Sequence, residues 1–403
     1  MERLHPLLAG AVTALVGFTS SFTVVLAGLR AVGANQAQAA SGLLTVCVVM
    51  GLLAIWLGWR HRIPISIAWS TPGAALLIAT GPVAGGFGTA VAAFAICGAL
   101  IALTGLLAPL RRLVLAIPRP IANGLLAGVL LELCVVPVTT VVHRPALAIP
   151  IVLTWLVLTR VARRWAVPAA MAVAIAEILS SSGHTQLSTG QLVPTLTATA
   201  PAWSVTALTL GASLFIVTMA SQNVPGIAVL DGFGYQVPVR PVLVQTGLGT
   251  VLGAVFGGHV VNLAAISAAL CAGPDAHPDR ARRWLASSFA GVCYLMFGVA
   301  AGLLSALIAV APPGLVETVA GLALIATLGS SLAAASGDEL IGTAGRYRDS
   351  AVLTFLVTAS GINVAGIGSP LWGLLAGLLM AAVLHLPRGR LRRTTRISDP
   401  ARG

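Results

Sequence analysis

The sequence predicts an all-α polytopic membrane protein of about fourteen spans, laid out as two inverted repeats of seven, with spans three and ten broken into a short strand plus a half-helix. Three observations carry that expectation. The chain of 403 residues is 57% apolar and only 8% charged, with a mean hydropathy of +0.97, a composition that cannot furnish a water-solvated surface. Its charged residues sit in short clusters between long apolar runs. Segments of the two halves also match one another at a shared offset of about 195 residues, half the chain.

Hydrophobic runs bounded by Gly, Pro and charged residues give spans at 7–29, 37–59, 63–80, 86–108, 120–136, 146–160, 166–182, 203–223, 239–257, 259–272, 285–310, 313–334, 350–366 and 369–386. Each span takes ~20 residues, so little chain remains for a domain outside the membrane. That disfavours receptors with ectodomains and pumps with soluble motor domains. Ala37-Gln38-Ala39 resembles a signal-peptidase site. The apolar stretch before it, Leu7 to Leu29, is too long for a signal core and is interrupted by Thr19, Ser20 and Ser21, so it is expected to be a retained first span.

All 23 basic residues are arginine, against 11 acids, for a net charge of +12. Nucleic-acid binding is one meaning of such a balance, but the positive-inside rule explains the clusters better. With the N-terminus in the cytoplasm, Arg3, Arg60, Arg62, the groups at 111–119, 160–164, 280–283 and 346–348, Arg240 and the tail from Arg388 all fall on the cytoplasmic face. Only Arg30 and Arg144 fall outside. Both termini are therefore expected in the cytoplasm of a cell with the protein in its inner membrane. The five cysteines lie in or beside apolar runs without CxxC spacing and read as small packing residues, so neither a disulfide nor a metal or other cofactor is expected. The chain has no Walker A, HExxH or Ser-His-acid set, which argues against an enzyme.

The internal matches divide the chain at residue 195. Pro120 to Gly128 aligns with Pro313 to Gly321, Ser20 to Gly33 with Ser221 to Gly234, and Ala74-Ala75-Leu76 with Ala268-Ala269-Leu270, each of the last pair followed by Gly-Pro. Ser21 thereby falls on Gln222 and Arg30 on Asp231. Seven is odd, so the second copy (196–403) enters the membrane from the side opposite to the first (1–195), the construction of many secondary transporters.

Spans three and ten are short and polar at equivalent places: Ile65-Ser-Ile-Ala-Trp-Ser-Thr-Pro-Gly-Ala-Ala-Leu76 and His259-Val-Val-Asn-Leu-Ala-Ala-Ile-Ser-Ala-Ala-Leu270. Pro72 sits where a helix can begin, since its missing N–H would be unpaired there anyway. Broken backbone at membrane depth survives only inside protein or beside a cavity, so matched interruptions point to a binding site. Half-helix N-termini near Thr71–Ala74 and Ala264–Ser267 offer N–H groups and partial positive charge to an anion such as a carboxylate. Ser70, Thr71, Gly73 and Ser267 belong to these segments. Gln222 and Asn223 end span eight, where they either donate to a ligand or hydrogen-bond between helices; Ser20 and Ser21 hold the repeat-equivalent place. Trp69 offers an aromatic wall. Asn262 and His259 are either ligand or proton contacts or caps on broken backbone. Of the acids, Glu132 and Glu177 lie within spans and are the carboxylate candidates for proton coupling, with His259 beside them.

Taken together, Ala68-Trp-Ser-Thr-Pro-Gly-Ala-Ala-Leu76, Val217-Thr-Met-Ala-Ser-Gln-Asn-Val-Pro-Gly226, Pro274-Asp-Ala-His-Pro278 and Leu356-Val-Thr-Ala-Ser-Gly361 resemble the benzoate/proton symporter (BenE) family, within the nucleobase-permease and sulfate-transporter superfamily. The resemblance implies seven-plus-seven inverted spans, a core domain (1–110 with 203–311) and a gate domain (118–182 with 312–386). It further implies alternating access, proton-coupled uptake of an aromatic carboxylate and, in many members, a homodimer. Nucleobase permeases of that superfamily typically place a carboxylate in span eight and often one in span ten; here Gln222, Asn223 and Asn262 stand in the region instead. Neutral amides can donate to an anion without repelling it.

Overall fold

The structure is a computed structural model and describes residues 5–181, 193–312, 314–336, 347–364 and 367–385. Every apolar run of the sequence has its own element, in chain order. Helices α1 (His5–Thr19) and α2 (Phe22–Ala31) follow one another closely, then come α3 (Gln36–His61), β1 (Ile67–Trp69) and α4 (Thr71–Thr80). Next are α5 (Phe87–Leu106), α6 (Ala108–Leu115), α7 (Arg119–His143), α8 (Pro145–Val161) and α9 (Ala166–Ser181). The second half has α10 (Val205–Thr218), a π-helical turn at Met219–Asn223, α11 (Val224–Gly232), α12 (Val239–Ala254), β2 (Val261–Leu263) and α13 (Ile266–Ala272). It ends with α14 (Trp284–Val299), α15 (Ala301–Val310), α16 (Leu315–Ser336), α17 (Arg348–Ala359), a hairpin of β3 (Asn363–Val364) and β4 (Ile367–Gly368), and α18 (Ser369–His385).

Length and composition alone let six of these runs cross a bilayer: His5–Ala31, Gln36–His61, Phe87–Leu106, Arg119–His143, Val205–Gly232 and Leu315–Ser336. The pair α14 and α15, bent by 53° at their junction, makes a seventh. Helices such as α4, α8, α9 and α18 are apolar but shorter, so the expected count of fourteen rests on the sequence pattern. Large apolar side chains cover the outside: Val142 is 72% exposed, Val161 76% and Leu252 71%. Such a surface is stable against lipid and not against water.

Local chemistry explains several boundaries. Asn35 and Gln38 form a reciprocal capping box that starts α3, and Arg62, at φ 56°, ends it in the left-handed region. Pro225 has no N–H to give the Ser221 carbonyl, and the helix widens to a π turn over Met219–Asn223 just before it. Arg283 donates to the Ala272 and His277 carbonyls, both at 2.8 Å, and so ties off the C-terminal end of α13. The amphipathic helix α6 and the β3–β4 hairpin were not foreseen from the apolar pattern.

The largest helix contacts cross between the halves: α7 with α16, α5 with α12 and α3 with α14. Where α5 meets α12, a Cβ on Gly98 would sit 2.7 Å from the Gly247 carbonyl oxygen, so only glycine allows the two backbones so close. Around these, α1, α2, α4 and α10 pack with α3, α5 and α14, while α8, α9, α17 and α18 gather around α7 and α16.

Candidate functional site

Within the stretches 63–80 and 259–272, β1 leads into α4 and β2 into α13. β1 and β2 pair antiparallel, with Ile67 opposite Leu263, Ala68 opposite Asn262 and Trp69 opposite Val261. Two three-residue strands cannot stand alone, and side chains satisfy what the ladder leaves open. Thr250 Oγ1 accepts the Val261 N–H at 3.0 Å, and Asn223 Oδ1 accepts that of Leu263 at 3.0 Å. Asn262, with its amide oriented to satisfy both atoms, accepts from Ser70 N at 3.2 Å and donates to the Leu263 carbonyl at 2.8 Å.

Ser70 is the N-cap of α4. Its Oγ accepts the Gly73 N–H at 3.0 Å and lies 2.8 Å from Thr218 Oγ1 on α10. A side chain on Gly73 would strike that hydroxyl, its Cβ falling 2.8 Å from Ser70 Oγ. The cap therefore already uses one of the N–H groups expected to face a ligand, and α13, with seven residues, is too short to add much dipole. Side chains, more than helix ends, supply the polar surface here.

Beside the strand pair lies a cavity of about 110 Å³ lined by Ser20, Ser21, Trp69, Thr71, Gln222 and Ser267, together with Val16, Gly17, Met50, Ala264, Leu270 and Tyr294. Six of the ten sequence-predicted binding residues thus meet in one place, including Ser21 and Gln222, the pair matched by the internal repeat. Ser70, Gly73, Asn223 and Asn262 do not line it; Asn223 and Asn262 brace the strands behind it, and Gly73 donates to the Ser70 cap. Trp69 is buried, donates its indole N–H to Ser21 Oγ at 2.9 Å, and tilts against Phe18 at 5.6 Å between ring centres. Ser20 and Ser21 both donate to the Gly17 carbonyl, at 3.1 and 3.0 Å.

Thr71, Gln222, Ser267 and the phenol of Tyr294 make no side-chain hydrogen bond among the described residues. They leave four polar groups uncommitted in a cavity with no aspartate or glutamate among its described lining residues. Tyr294 was not anticipated, since a tyrosine within an apolar run reads as packing. Its hydroxyl reaches the cavity past Gly17, where an added Cβ would lie 2.8 Å from it.

None of the three proton-coupling candidates lines this cavity. His259 is buried, with neither ring nitrogen hydrogen-bonded among the described residues, next to Val260, whose carbonyl accepts the Ser70 N–H at 2.9 Å. Glu177 lies on α9 with one carboxylate oxygen buried and unpartnered among the described residues. Glu132, on α7, lines a second cavity of about 290 Å³.

A sequence profile of the benzoate membrane transport protein family, BenE, matches residues 2–383. The inner membrane protein YdcO of Escherichia coli (strain K12) is 39% identical over 96% of this chain and 97% of its own length. The benzoate membrane transport protein of Acinetobacter baylyi (strain ATCC 33305 / BD413 / ADP1) is 29% identical over 96% of each. Among solved structures, SLC26A9 superposes with a TM-score of 0.62 at 14% identity; 94% of this chain is covered, but only 65% of that one. The transmembrane domain of the cyanobacterium bicarbonate transporter BicA superposes with a TM-score of 0.60 at 14% identity, covering 93% of this chain and 98% of that domain. At such identities the structural likeness concerns the fold.

Proposed function

The chain belongs to the BenE family of benzoate membrane transport proteins, and from that premise we propose that it takes up benzoate or a similar aromatic carboxylate together with a proton, by alternating access across the inner membrane. It is a membrane transporter and not an enzyme. The observation that carries the substrate reading is the acid-free cavity, where Thr71, Gln222, Ser267 and Tyr294 offer uncommitted hydrogen bonds beside the Trp69 ring. An acid in such a space would repel a carboxylate at short range; hydroxyls and an amide bind it without that cost. The aromatic ring lies against Trp69, Met50 and Val16, and the carboxylate points to the polar groups.

In this reading, the helices gathered around α3, α5 and α14 are the core that carries the site, and those around α7 and α16 are the gate it moves against. Both termini lie in the cytoplasm, as the arginine distribution demands, and two copies associate as a dimer. Glu132, Glu177 and His259 are the candidates for carrying the proton.

Purified protein in liposomes tests the proposal. An inwardly directed proton gradient should drive accumulation of radiolabelled benzoate, and collapse of the gradient should release it. Absence of gradient-dependent uptake across a panel of aromatic acids overturns it. The same acid-free lining also suits a small inorganic anion such as bicarbonate, the second reading; competition of benzoate uptake by bicarbonate or sulfate separates the two.

A further inference from the structure

A polar crevice near the site is separate from it, and it holds a carboxylate. It measures about 290 Å³ and lies where α4 and α10 face α7, α17 and α18. Thr80, Thr206, Ser213, Thr358 and Ser369 line it with hydroxyls, and Glu132 is the one titratable side chain among its described lining residues. Glu132 is exposed there and makes neither an ion pair nor a hydrogen bond among the described residues. Besides Glu132, the charged or titratable residues with described side chains on α7 and the elements packed against it are Arg119, Cys134 and His143 on α7, Arg160 on α8, Glu317 on α16, and Arg348 and Asp349 on α17. None of these lines the crevice.

Two further facts give the crevice a direction. Helix α4 connects it to the cavity, since Thr71 at one end lines the cavity and Leu76, Ala79 and Thr80 toward the other line the crevice. A third cavity, of about 330 Å³, opens between the start of α7 and α11, and Arg119, Asn123 and Pro225 line it. Arg119 and Glu132 are about 20 Å apart along α7 at 1.5 Å per residue. The gate helix thus presents an acid in one crevice and a cation in the other, and the arginine distribution assigns the acid to the external side.

Resting on the reading of this chain as a proton-coupled carboxylate transporter, we propose that Glu132 loads the proton onto the substrate in the external crevice. Ionised, Glu132 repels an anion that enters the crevice. Protonated, it admits the carboxylate and donates to it. The O–H bond of Glu132 breaks, an O–H bond forms on the substrate carboxylate, and the negative charge stays on Glu132 until external water returns a proton. The substrate crosses as its neutral acid, one proton per molecule, and releases that proton on the Arg119 side. The cavity can hold such a passenger, because the hydroxyls of Thr71, Ser267 and Tyr294 and the amide of Gln222 each both donate and accept.

The test uses the full chain in liposomes, with radiolabelled benzoate and a trapped pH dye. Wild-type uptake should carry protons inward, follow the pH gradient and ignore a clamped membrane potential. E132Q should lose at least tenfold of gradient-driven accumulation and its proton influx, while benzoate–benzoate exchange falls less than threefold and net uptake becomes driven by an interior-positive potential. E132D should retain coupling. An E132Q protein that accumulates benzoate with wild-type proton influx overturns the proposal, as does one that binds benzoate normally yet loses exchange and accumulation together. Should E132Q fail to fold, wild-type protein is treated with a hydrophobic carbodiimide and mapped by peptide mass spectrometry. Complete modification of Glu132 with coupled uptake intact overturns the proposal; loss of coupling in step with modification, slowed by benzoate, supports it. A wild type that takes up no aromatic acid overturns the functional reading itself, whereas a coupled wild type with unaltered E132Q overturns only the role of Glu132.

Discussion

Asn223 Oδ1 accepts the backbone N–H of Leu263 at 3.0 Å, which joins the π turn of one helix to the strand that backs the cavity. Thr250 does the same for Val261 from α12, and Ser70 meets Thr218 from α10. The short strand pair is thus held by three side chains on two neighbouring helices and at its own exit into α4. A polar residue at membrane depth therefore has two kinds of work here: some brace broken backbone, and others face the cavity.

Asn223 is of the first kind. N223A removes the acceptor and leaves the buried Leu263 N–H unpaired, at a cost of about 1–3 kcal/mol. The expected result is a lower thermal midpoint in detergent and less folded transporter, with an unchanged Km in the fraction that remains. N223D, which keeps an acceptor oxygen, should lose less. A stable N223A protein with a raised Km would instead make Asn223 a ligand.

Trp69 and Ser21 link the two roles, since their 2.9 Å bond fixes the indole that walls the cavity. W69F keeps an aromatic face but drops the bond, so benzoate affinity should fall about two- to tenfold, as for one neutral hydrogen bond. S21A should destabilise more than W69F because it strands a buried N–H. In W69F/S21A the coupling energy should be about 1 kcal/mol by a double-mutant cycle on unfolding; strict additivity would show that the bond does not form.

Much of this was legible in the residues. Pro72 after Ser70-Thr71 marks a helix start at membrane depth, and β-branched Ile65, Ile67, Val260 and Val261 mark extended chain before it. The repeat brings Ser21 and Gln222 together, and they do line one cavity. What the sequence could not separate is bracing from lining: Asn223 and Gln222 are adjacent amides, and the π turn alone decides that one points at Leu263 and the other into the cavity. That turn follows from Pro225, yet a proline near a span end more often reads as a simple stop. Tyr294 was illegible for a different reason, because it becomes polar surface only where Gly17 on another helix leaves room for its hydroxyl.

Y294F tests that role. If the phenol bonds the substrate's carboxyl group, losing that bond raises the Km for benzoate about two- to tenfold with little change in stability. G17A should produce a similar defect, since its methyl would lie 2.8 Å from the hydroxyl and displace it. A benzoate Km in Y294F within twofold of wild type would remove Tyr294 from recognition.

Substrate class is the final prediction, and it turns on what the cavity lacks. A nucleobase offers N–H donors that need acceptors, and a carboxylate side chain is the strongest acceptor a site can present. No aspartate or glutamate is among the described lining residues around Trp69 and Gln222, so uracil and xanthine find only hydroxyls and one amide carbonyl, while a carboxylate can engage all four uncommitted donors. Ligand binding raises stability by RT ln(1 + [L]/Kd), about 2.7 kcal/mol at a hundredfold excess over Kd. In a thermal-shift panel benzoate should therefore raise the midpoint in proportion to the logarithm of its concentration, and uracil and xanthine at the same concentrations should not. Introducing an acid as Q222E should invert that order, weakening benzoate through like-charge repulsion. A uracil shift equal to that of benzoate in the wild type would mean that the neutral lining does not set the choice of substrate.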